Sequence, residues 1–328
     1  MKVLDANFFS CRELEELSQP LSSGLAALQM SQGILRGRLR IFNLGAVRFN
    51  VLESNQSLFL SGARRPKPWT LAVPLNDPTE AEPYRAQGVV MPWIGLMGYN
   101  VKLRDFDLQI PGGSRLSTIV LNKEKLMERH QLKSTGPLTL ERSLSTNQLE
   151  LRASKRQQFR ERLERLIKQD GQIDDPTTPD ELMDTIIECF EDKKAKTMGI
   201  NRREERHTAA IQLLHWCSNH PRIKITVDNL SEELYQSRTS LFKGCKDHFG
   251  CTPLELQRAV RLDRVRYLLR QPAERERLGL EGIQEIARHF GFQSQSHFMR
   301  RYCQAFDEQP QQTIQGNDPI RAKNPIWL

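Results

Sequence analysis

The sequence lacks any long apolar run. Its longest nearly apolar stretch, residues 88–99, holds 12 residues and contains Pro92, whereas a membrane-spanning helix needs about 20. The first seven residues also lack the unbroken apolar core of a secretory signal. We therefore expect no membrane span and a cytoplasmic protein.

The sequence also has few residues in patterns that bind metals or form disulfides. The six cysteines include no C-x-x-C pair and no zinc-type spacing, so we expect free thiols in a reducing compartment. Only His130 of the seven histidines lies before residue 207, and a catalytic metal needs several such ligands. No G-x-S-x-G elbow, phosphate-binding glycine loop or H-E-x-x-H motif occurs. We predict no enzyme, no catalytic residue, no metal and no cofactor.

The composition is that of a folded, basic protein. Charged residues make up 27% and hydrophobic residues 38% of the chain, which excludes a low-complexity or mostly disordered protein. A length of 328 residues favours about two to three domains. The net charge of +8 and the pI of about 9.3 favour a polyanionic partner, either nucleic acid or an anionic surface.

The first part of the chain has the pattern of β-strands. Residues 34–121 alternate apolar and polar side chains with a period of two, and turn sequences separate the runs. We predict an antiparallel β-roll of roughly six to ten strands within a β-rich regulatory domain, residues 1–150. Three aromatic residues are interpreted as core residues rather than as the lining of an effector pocket: Trp69, Trp93 and Tyr99.

Two amphipathic helices are predicted in a connector, residues 151–201. The first has Ser154 as its cap, and the second has Thr178 as its cap and Pro179 at its first helical position. Their apolar stripes are Phe159, Leu163, Leu166 and Ile167 in the first helix, and Leu182, Met183, Ile186, Ile187 and Phe190 in the second. The stripes could pack on the β-domain, form a dimer interface, or do both. Packing within the protomer is favoured for the second helix, and the alternatives stay open for the first.

The last third of the chain contains an internal duplication. Positions of the first copy recur 56 or 57 residues later: Val227, Leu230, Leu234, Ser237, Leu241, Cys245, Phe249 and Pro253 match Ile283, Ile286, Phe290, Ser294, Phe298, Tyr302, Phe306 and Pro310. Each copy predicts a short helix, a tight turn and a serine-capped second helix, which is the pattern of a helix-turn-helix. Gly291 lies at the second turn, where a positive φ is needed.

A helix from Pro253 to about Arg270 is predicted between the copies, with a length of about 27 Å. It would present two recognition helices to successive major-groove segments. Such helices need donors that reach base edges and cations that hold phosphates. The outward-facing residues that suit this role are Arg238, Lys243, Gln295 and Arg300. Solvated surface charge is the alternative for any one of them, and the duplication favours DNA.

Residues 205–314 resemble the AraC/XylS family of bacterial transcription regulators. The segments that carry the resemblance are 237–243 (SRTSLFK), 249–255 (FGCTPLE), 261–269 (RLDRVRYLL) and 283–298 (IQEIARHFGFQSQSHF). The resemblance implies an α+β protein with a cupin-like β-roll, the helical connector and an all-α tandem helix-turn-helix domain, residues 202–315, before a tail, residues 316–328. It also implies that the two serine-capped helices enter adjacent major grooves.

The function that follows is a sequence-specific transcription regulator, with activator as the expected sign. Carried over by position, the implied DNA contacts are Ser237, Arg238, Thr239, Ser240 and Lys243 in the first copy, and Gln295, Ser296, His297, Arg300 and Arg301 in the second. The expected partners are double-stranded DNA, RNA polymerase, a small-molecule effector and a second copy of the chain. The alternatives are a cupin-type enzyme fused to a DNA-binding module and a non-regulatory DNA-binding protein.

Three features depart from the family pattern. Tyr235 occupies a turn position where the family usually has glycine, and Asp307 replaces a common glycine. Residues 272–280 predict a longer loop than usual before the second copy. Because the duplicated module has its own repeated core, we expect residues 202–328 to fold and bind DNA alone.

Overall fold

The computed structural model describes residues 2–22, 24–65, 68–76, 83–91, 93–133, 144–168, 178–200 and 204–316. Contacts divide the chain into two compact units. One, the β-rich unit, contains residues 1–7, 19–25 and 37–202, and the other, the helical unit, contains residues 8–18, 26–36 and 203–328. The predicted α+β class is confirmed, since strands dominate the first unit and helices the second.

The strands follow the period-two pattern of the sequence. In chain order they are β1 (Lys2–Phe8), β2 (Ala26–Gln29), β3 (Gly37–Asn43), β4 (Val47–Ser54), β5 (Leu58–Ala63), β6 (Trp69–Pro74), β7 (Arg85–Ala86), β8 (Val89–Val90), β9 (Gly95–Met97), β10 (Asp105–Ile110), β11 (Ser114–Leu121), β12 (Gln148–Glu150) and β13 (Thr197–Met198). Nine of these, β3 to β11, fall within residues 37–121 of the described chain. This agrees with the predicted strand-rich region.

The β-rich unit is built from antiparallel pairs. One sheet has the order β1-β3-β4-β11-β6-β9-β12-β13, and β11 pairs with both β4 and β6 at its centre. In a second sheet, β5 and β7 pair with β10, and β8 pairs with β7. Alternate residues of β4, namely Val47, Phe49 and Val51, are fully buried, so the apolar face of the strand forms the core.

Within the described residues, the β-rich unit also contains the helices α2 (Lys123–Lys133), α3 (Ala153–Lys168) and α4 (Thr178–Glu191). The apolar stripes of α3 and α4 join strand residues in one buried cluster. Both stripes are therefore covered within the protomer, as favoured for the second helix. Trp69 and Tyr99 belong to the same core, where the Trp69 indole donates to the Tyr99 carbonyl oxygen at 2.7 Å. Trp93 is half-buried.

The helical unit contains α1 (Cys11–Leu17), α5 (Glu205–Asn219), α6 (Val227–Glu233), α7 (Arg238–Phe249), α8 (Pro253–Arg270), α9 (Pro272–Leu278), α10 (Ile283–His289), α11 (Gln295–Phe306) and α12 (Pro310–Ile314). The predicted helix between the two copies is confirmed as α8. The loop predicted for residues 272–280 is wrong, because α9 lies there. Pro272 begins this helix and Gly279 ends it with a φ of 65°, a start and a stop that sequence alone could have indicated.

The N-terminal residues are divided between the units. The sequence placed residues 1–150 in one domain, whereas residues 8–18 and 26–36 group by contact with the helical unit. Their apolar side chains explain this, since Phe8, Cys11 and Leu14 are at most 1% exposed. The loop before α4 and the tail after Gly316 lie outside the described residues. No helix of the described chain is both long and apolar enough to span a membrane.

Candidate nucleic-acid interface

The turn of the first helix-turn-helix keeps its geometry despite its tyrosine. Tyr235 has a φ of 52°, in the left-handed region where glycine is usual. Its side chain is 95% exposed, so burial of the side chain does not offset the backbone strain. The amide of Gln236 donates to the Ser231 carbonyl oxygen at 3.0 Å and closes the turn. The first turn thus has a left-handed backbone at a residue other than glycine, which is a strained conformation.

The recognition helix of the first helix-turn-helix is α7. The Ser237 hydroxyl oxygen accepts from the Ser240 amide at 3.0 Å, which satisfies one of the free amides at the start of the helix. Leu241, Cys245 and Phe249 are buried on one face. The predicted contact residues Arg238, Thr239 and Lys243 are exposed, and Ser240 is half-buried.

Gly244 is a residue that sequence reasoning missed. It lies on α7, and a Cβ atom at this position would be 1.9 Å from the backbone carbonyl oxygen of Arg206 and 3.2 Å from the Ala210 Cβ atom. Glycine therefore permits α7 to pack closely against α5. The equivalent position of the second copy is Arg301, so the duplication gave no signal for it.

The second helix-turn-helix repeats the arrangement with a glycine in its turn. Gly291 has a φ of 81°, as predicted. The Ser294 hydroxyl oxygen accepts from the His297 amide at 3.3 Å and caps α11. Phe298, Tyr302 and Phe306 are buried on the inner face. Of the predicted contact residues, Gln295, Ser296 and Arg300 are exposed, and His297 and Arg301 are half-buried.

The outer faces of α7 and α11, which we call the reading faces, differ in charge. The Arg238 guanidinium makes an ion pair with Asp228 of α6 at 2.8 Å. Arg300 makes no ion pair with any described residue. Desolvation and the nearby arginines, Arg300 first among them, lower the pKa of His297. At neutral pH this histidine is therefore a neutral hydrogen-bonding group rather than a further cation.

Both recognition helices end in a left-handed residue. Gly250 ends α7 with a φ of 66°, and Asp307 ends α11 with a φ of 52°. Thr252 and Glu255 then form a reciprocal capping box that begins α8. At 1.5 Å per residue, the 18 residues of α8 span about 27 Å between the two units.

No group of three or more His, Cys, Asp or Glu side chains is placed to hold a metal ion in the described chain. His130 is buried, and its Nε2 atom lies 2.8 Å from the Glu191 carboxylate. The six cysteines are free. Burial raises the pKa of the Cys245 thiol, and it raises the pKa of Cys251 to about 11. Neither sulfur is in the reactive thiolate form at neutral pH.

Comparison with known proteins agrees with this geometry. Residues 230–316 match the family model of a helix-turn-helix domain. The transcriptional activator RhaS of Salmonella arizonae is 28% identical over 109 residues, which are 33% of this chain and 37% of RhaS. The chain therefore contains a helix-turn-helix domain over residues 230–316. Only a little over a third of the length of this relative is matched.

Two solved structures also align with the chain. A probable AraC family regulator from Rhodopseudomonas palustris is 25% identical, with a TM-score of 0.29, over 33% of this chain and 96% of that one. The AraC-like transcriptional activator CuxR is 13% identical, with a TM-score of 0.40, over 83% of this chain and 96% of its own.

Proposed function

We propose that this protein is a sequence-specific transcription regulator that reads two successive major-groove segments with α7 and α11. The observation that carries the proposal is the pair of 12-residue helices. Each has a serine cap, a buried inner face and an outer face with exposed polar side chains. A helix with its N-terminal residues free to reach base edges is what major-groove recognition requires.

The proposed DNA contacts lie on the outer faces. Arg238, Thr239 and Lys243 on α7, and Gln295, Ser296 and Arg300 on α11, expose the groups that hydrogen-bond to bases and phosphates. Ser237, Ser240, His297 and Arg301 flank them, and in this proposal they contact the sugar-phosphate backbone of the DNA. Arginine binds guanine in a bidentate manner and glutamine binds adenine, so Arg300 and Gln295 are the proposed readers of sequence.

The spacer fixes the distance between the two subsites. A stiff helix of about 27 Å is comparable with the roughly 34 Å repeat of B-DNA, so one protomer can contact two groove segments on the same face of the duplex. A surface that only attracts phosphates would not need this regular geometry. We therefore expect specific binding in addition to the nonspecific attraction of a basic protein.

The β-rich unit takes the regulatory role in this proposal. Its aromatic residues Trp69 and Tyr99 pack in the core, and its one described histidine is engaged by Glu191. These observations favour a non-enzymatic unit that binds a small-molecule effector or a second copy of the chain over a cupin-type enzyme. Contact with RNA polymerase, an activating role and a cytoplasmic location complete the proposal.

The test begins with the full-length chain and a random library of duplexes. Repeated selection should enrich one sequence with two conserved blocks about 10 bp apart. Affinity for this duplex should fall steeply between about 50 and 200 mM salt, since binding to phosphates releases counterions. Selection of no sequence would contradict the proposal. Specific binding with no effect on a reporter gene in bacteria that carry the site would indicate a non-regulatory DNA-binding protein.

A further inference from the structure

Two N-terminal segments belong to the DNA-binding unit. They are Phe8–Ser18 and Ala26–Arg36, and we call them the N-terminal segments. The first contains α1, whose Cys11 and Leu14 side chains are each 1% exposed. The second contains β2, where Ala26 and Ala27 are also buried. The segments therefore contribute to the core of this unit, although more than 160 residues separate them from it in sequence. A fragment of residues 202–328, predicted from the sequence to fold alone, would lack this part of the core.

Asp263 of α8 binds the start of α1. Its Oδ1 atom accepts from the Cys11 amide at 2.6 Å, and its Oδ2 atom accepts from the Arg12 amide at 3.0 Å. The first amides of a helix have no carbonyl partner within the helix, and negative charge is favourable there. The Asp263 carboxylate thus caps a helix from the other end of the chain.

Arg264, the next residue of α8, binds a side chain of α1. Its guanidinium donates to the Glu15 carboxylate at 2.6 Å and to Asp263 at 3.0 Å. The Arg264 and Glu15 side chains are only 5% and 6% exposed. The second Glu15 oxygen accepts from the Ala27 amide at 3.1 Å, which ties the second segment to the same group. A buried charge pair of this kind is costly to break, because each partner leaves the other unpaired.

The N-terminal segments also reach the end of the second recognition helix. The Gly33 amide donates to the Ala305 carbonyl oxygen on α11 at 3.0 Å. Arg266 of α8, which is 1% exposed, donates to the Phe9 carbonyl oxygen at 2.8 Å and makes an ion pair with Glu308, just after α11. One network of contacts thus joins the N-terminal segments, α8 and the C-terminal end of α11.

We propose that the N-terminal segments hold α8 and α11 in one orientation, and that Asp263 and Arg264 are the positioning residues. This inference rests on the proposed function. Since α8 links the two recognition helices, its contacts with α11 determine whether both helices meet the same face of DNA. Loosening them should weaken binding to a duplex with two subsites, because the second contact loses its high effective concentration. Binding to either subsite alone should hardly change.

The test uses the full-length chain and three duplexes. One is the duplex that the chain selects from a random library, and the others each have one of its two subsites scrambled. The variants are Asp263→Asn, Arg264→Gln and the milder Glu15→Gln. The matched control is Glu274→Gln, which removes an ion pair with Arg277 in α9 of the same unit, where Arg277 is 67% exposed. Circular dichroism first establishes that each variant is folded.

We expect Asp263→Asn and Arg264→Gln to lower affinity for the two-subsite duplex by about tenfold, and affinity for either single-subsite duplex by less than about twofold. Glu15→Gln should have a smaller effect in the same direction, and the control should match the wild type. An equal loss on all three duplexes would mean a purely structural role and would overturn the inference. So would unchanged binding of the folded variants.

Hydrogen exchange of the wild-type chain gives a readout that does not depend on DNA. The Cys11 and Arg12 amides should be protected, and Asp263→Asn should accelerate their exchange. Exchange at the rate of an unstructured peptide in the wild type would overturn the inference even if the variants fail to fold. If the chain selects no sequence while these amides stay protected, the proposed function fails and the docking of the segments stands. The two failures are therefore distinguishable.

Discussion

The two helix-turn-helix units share one sequence pattern but differ in turn, packing and charge. The first turn forces Tyr235 into a left-handed conformation, whereas the second uses Gly291. The first recognition helix packs tightly through Gly244, where the second has an arginine. Arg238 is paired with Asp228, while Arg300 makes no ion pair with a described residue. The first helix-turn-helix is therefore the more constrained of the two, and the second has the freer reading face.

The largest expected effect concerns the packing difference. Gly244→Ala should destabilise the protein by about 3 kcal/mol, because the new Cβ atom would overlap a backbone carbonyl oxygen that cannot move independently. The sign is informative, since alanine normally stabilises a helix relative to glycine. Thermal unfolding measures it. The matched control is Arg301→Ala at the equivalent position of the second copy, which should cost less than about 1 kcal/mol. Equal effects would contradict the packing difference.

The next effect concerns the two reading faces. Arg300→Ala should weaken binding to the selected duplex by about 1–3 kcal/mol and relax specificity at one base pair. Arg238→Ala should cost about 0.4 kcal/mol less, because this arginine must first give up its exposed ion pair with Asp228. Binding to a panel of single-base variants of the duplex separates base contacts from phosphate contacts. A larger loss of affinity for Arg238→Ala than for Arg300→Ala would contradict the prediction that the second helix-turn-helix contributes more to specific binding.

The turns can be compared by exchanging their residue types. Tyr235→Gly should raise the free energy of unfolding by about 0.5–1 kcal/mol, since glycine adopts a positive φ without strain and the exposed tyrosine ring buries nothing. Gly291→Ala should lower it by about 1–2 kcal/mol for the converse reason. Chemical denaturation measures both. If Tyr235→Gly were destabilising, the tyrosine ring would have a stabilising contact that offsets its strain.

The smallest effect tests the charge compensation in the first unit. Asp228→Asn should release Arg238 and remove a negative charge from the reading face. Affinity for the selected duplex should then rise by about twofold, the size expected for an exposed ion pair. Fluorescence anisotropy at low salt is sensitive enough. In the Arg238→Ala background the same substitution should give less gain, and an undiminished gain would show that Asp228 acts on DNA by itself.

The repeated module could be predicted from sequence because its signals are local and duplicated. Serine caps, a glycine turn and buried positions at helical spacing fixed α7, α8 and α11 closely. The short helix α9 was missed, although Pro272 and Gly279 mark its ends. Its side chains are of mixed charge and form no apolar stripe, so periodicity gave no indication of a helix.

The long-range contacts could not be predicted from periodicity. Nothing near Cys11 indicates that Asp263 caps its helix, because the two residues are 252 positions apart. Gly244 is likewise explained only by the backbone of α5, which the sequence does not place. Both features depend on the meeting of distant segments, whereas sequence patterns report on neighbours along one helix or strand.

In this proposal both helix-turn-helices of one protomer contact the same face of the DNA, and the spacing of the two subsites tests this most directly. Inserting about 5 bp between them turns one subsite by half a helical turn, which the stiff α8 spacer cannot follow. Affinity of the full-length chain should then fall to that for a duplex with one scrambled subsite. Equal affinity for the parent and the inserted duplex would contradict the claim and would leave only one unit in contact with specific DNA.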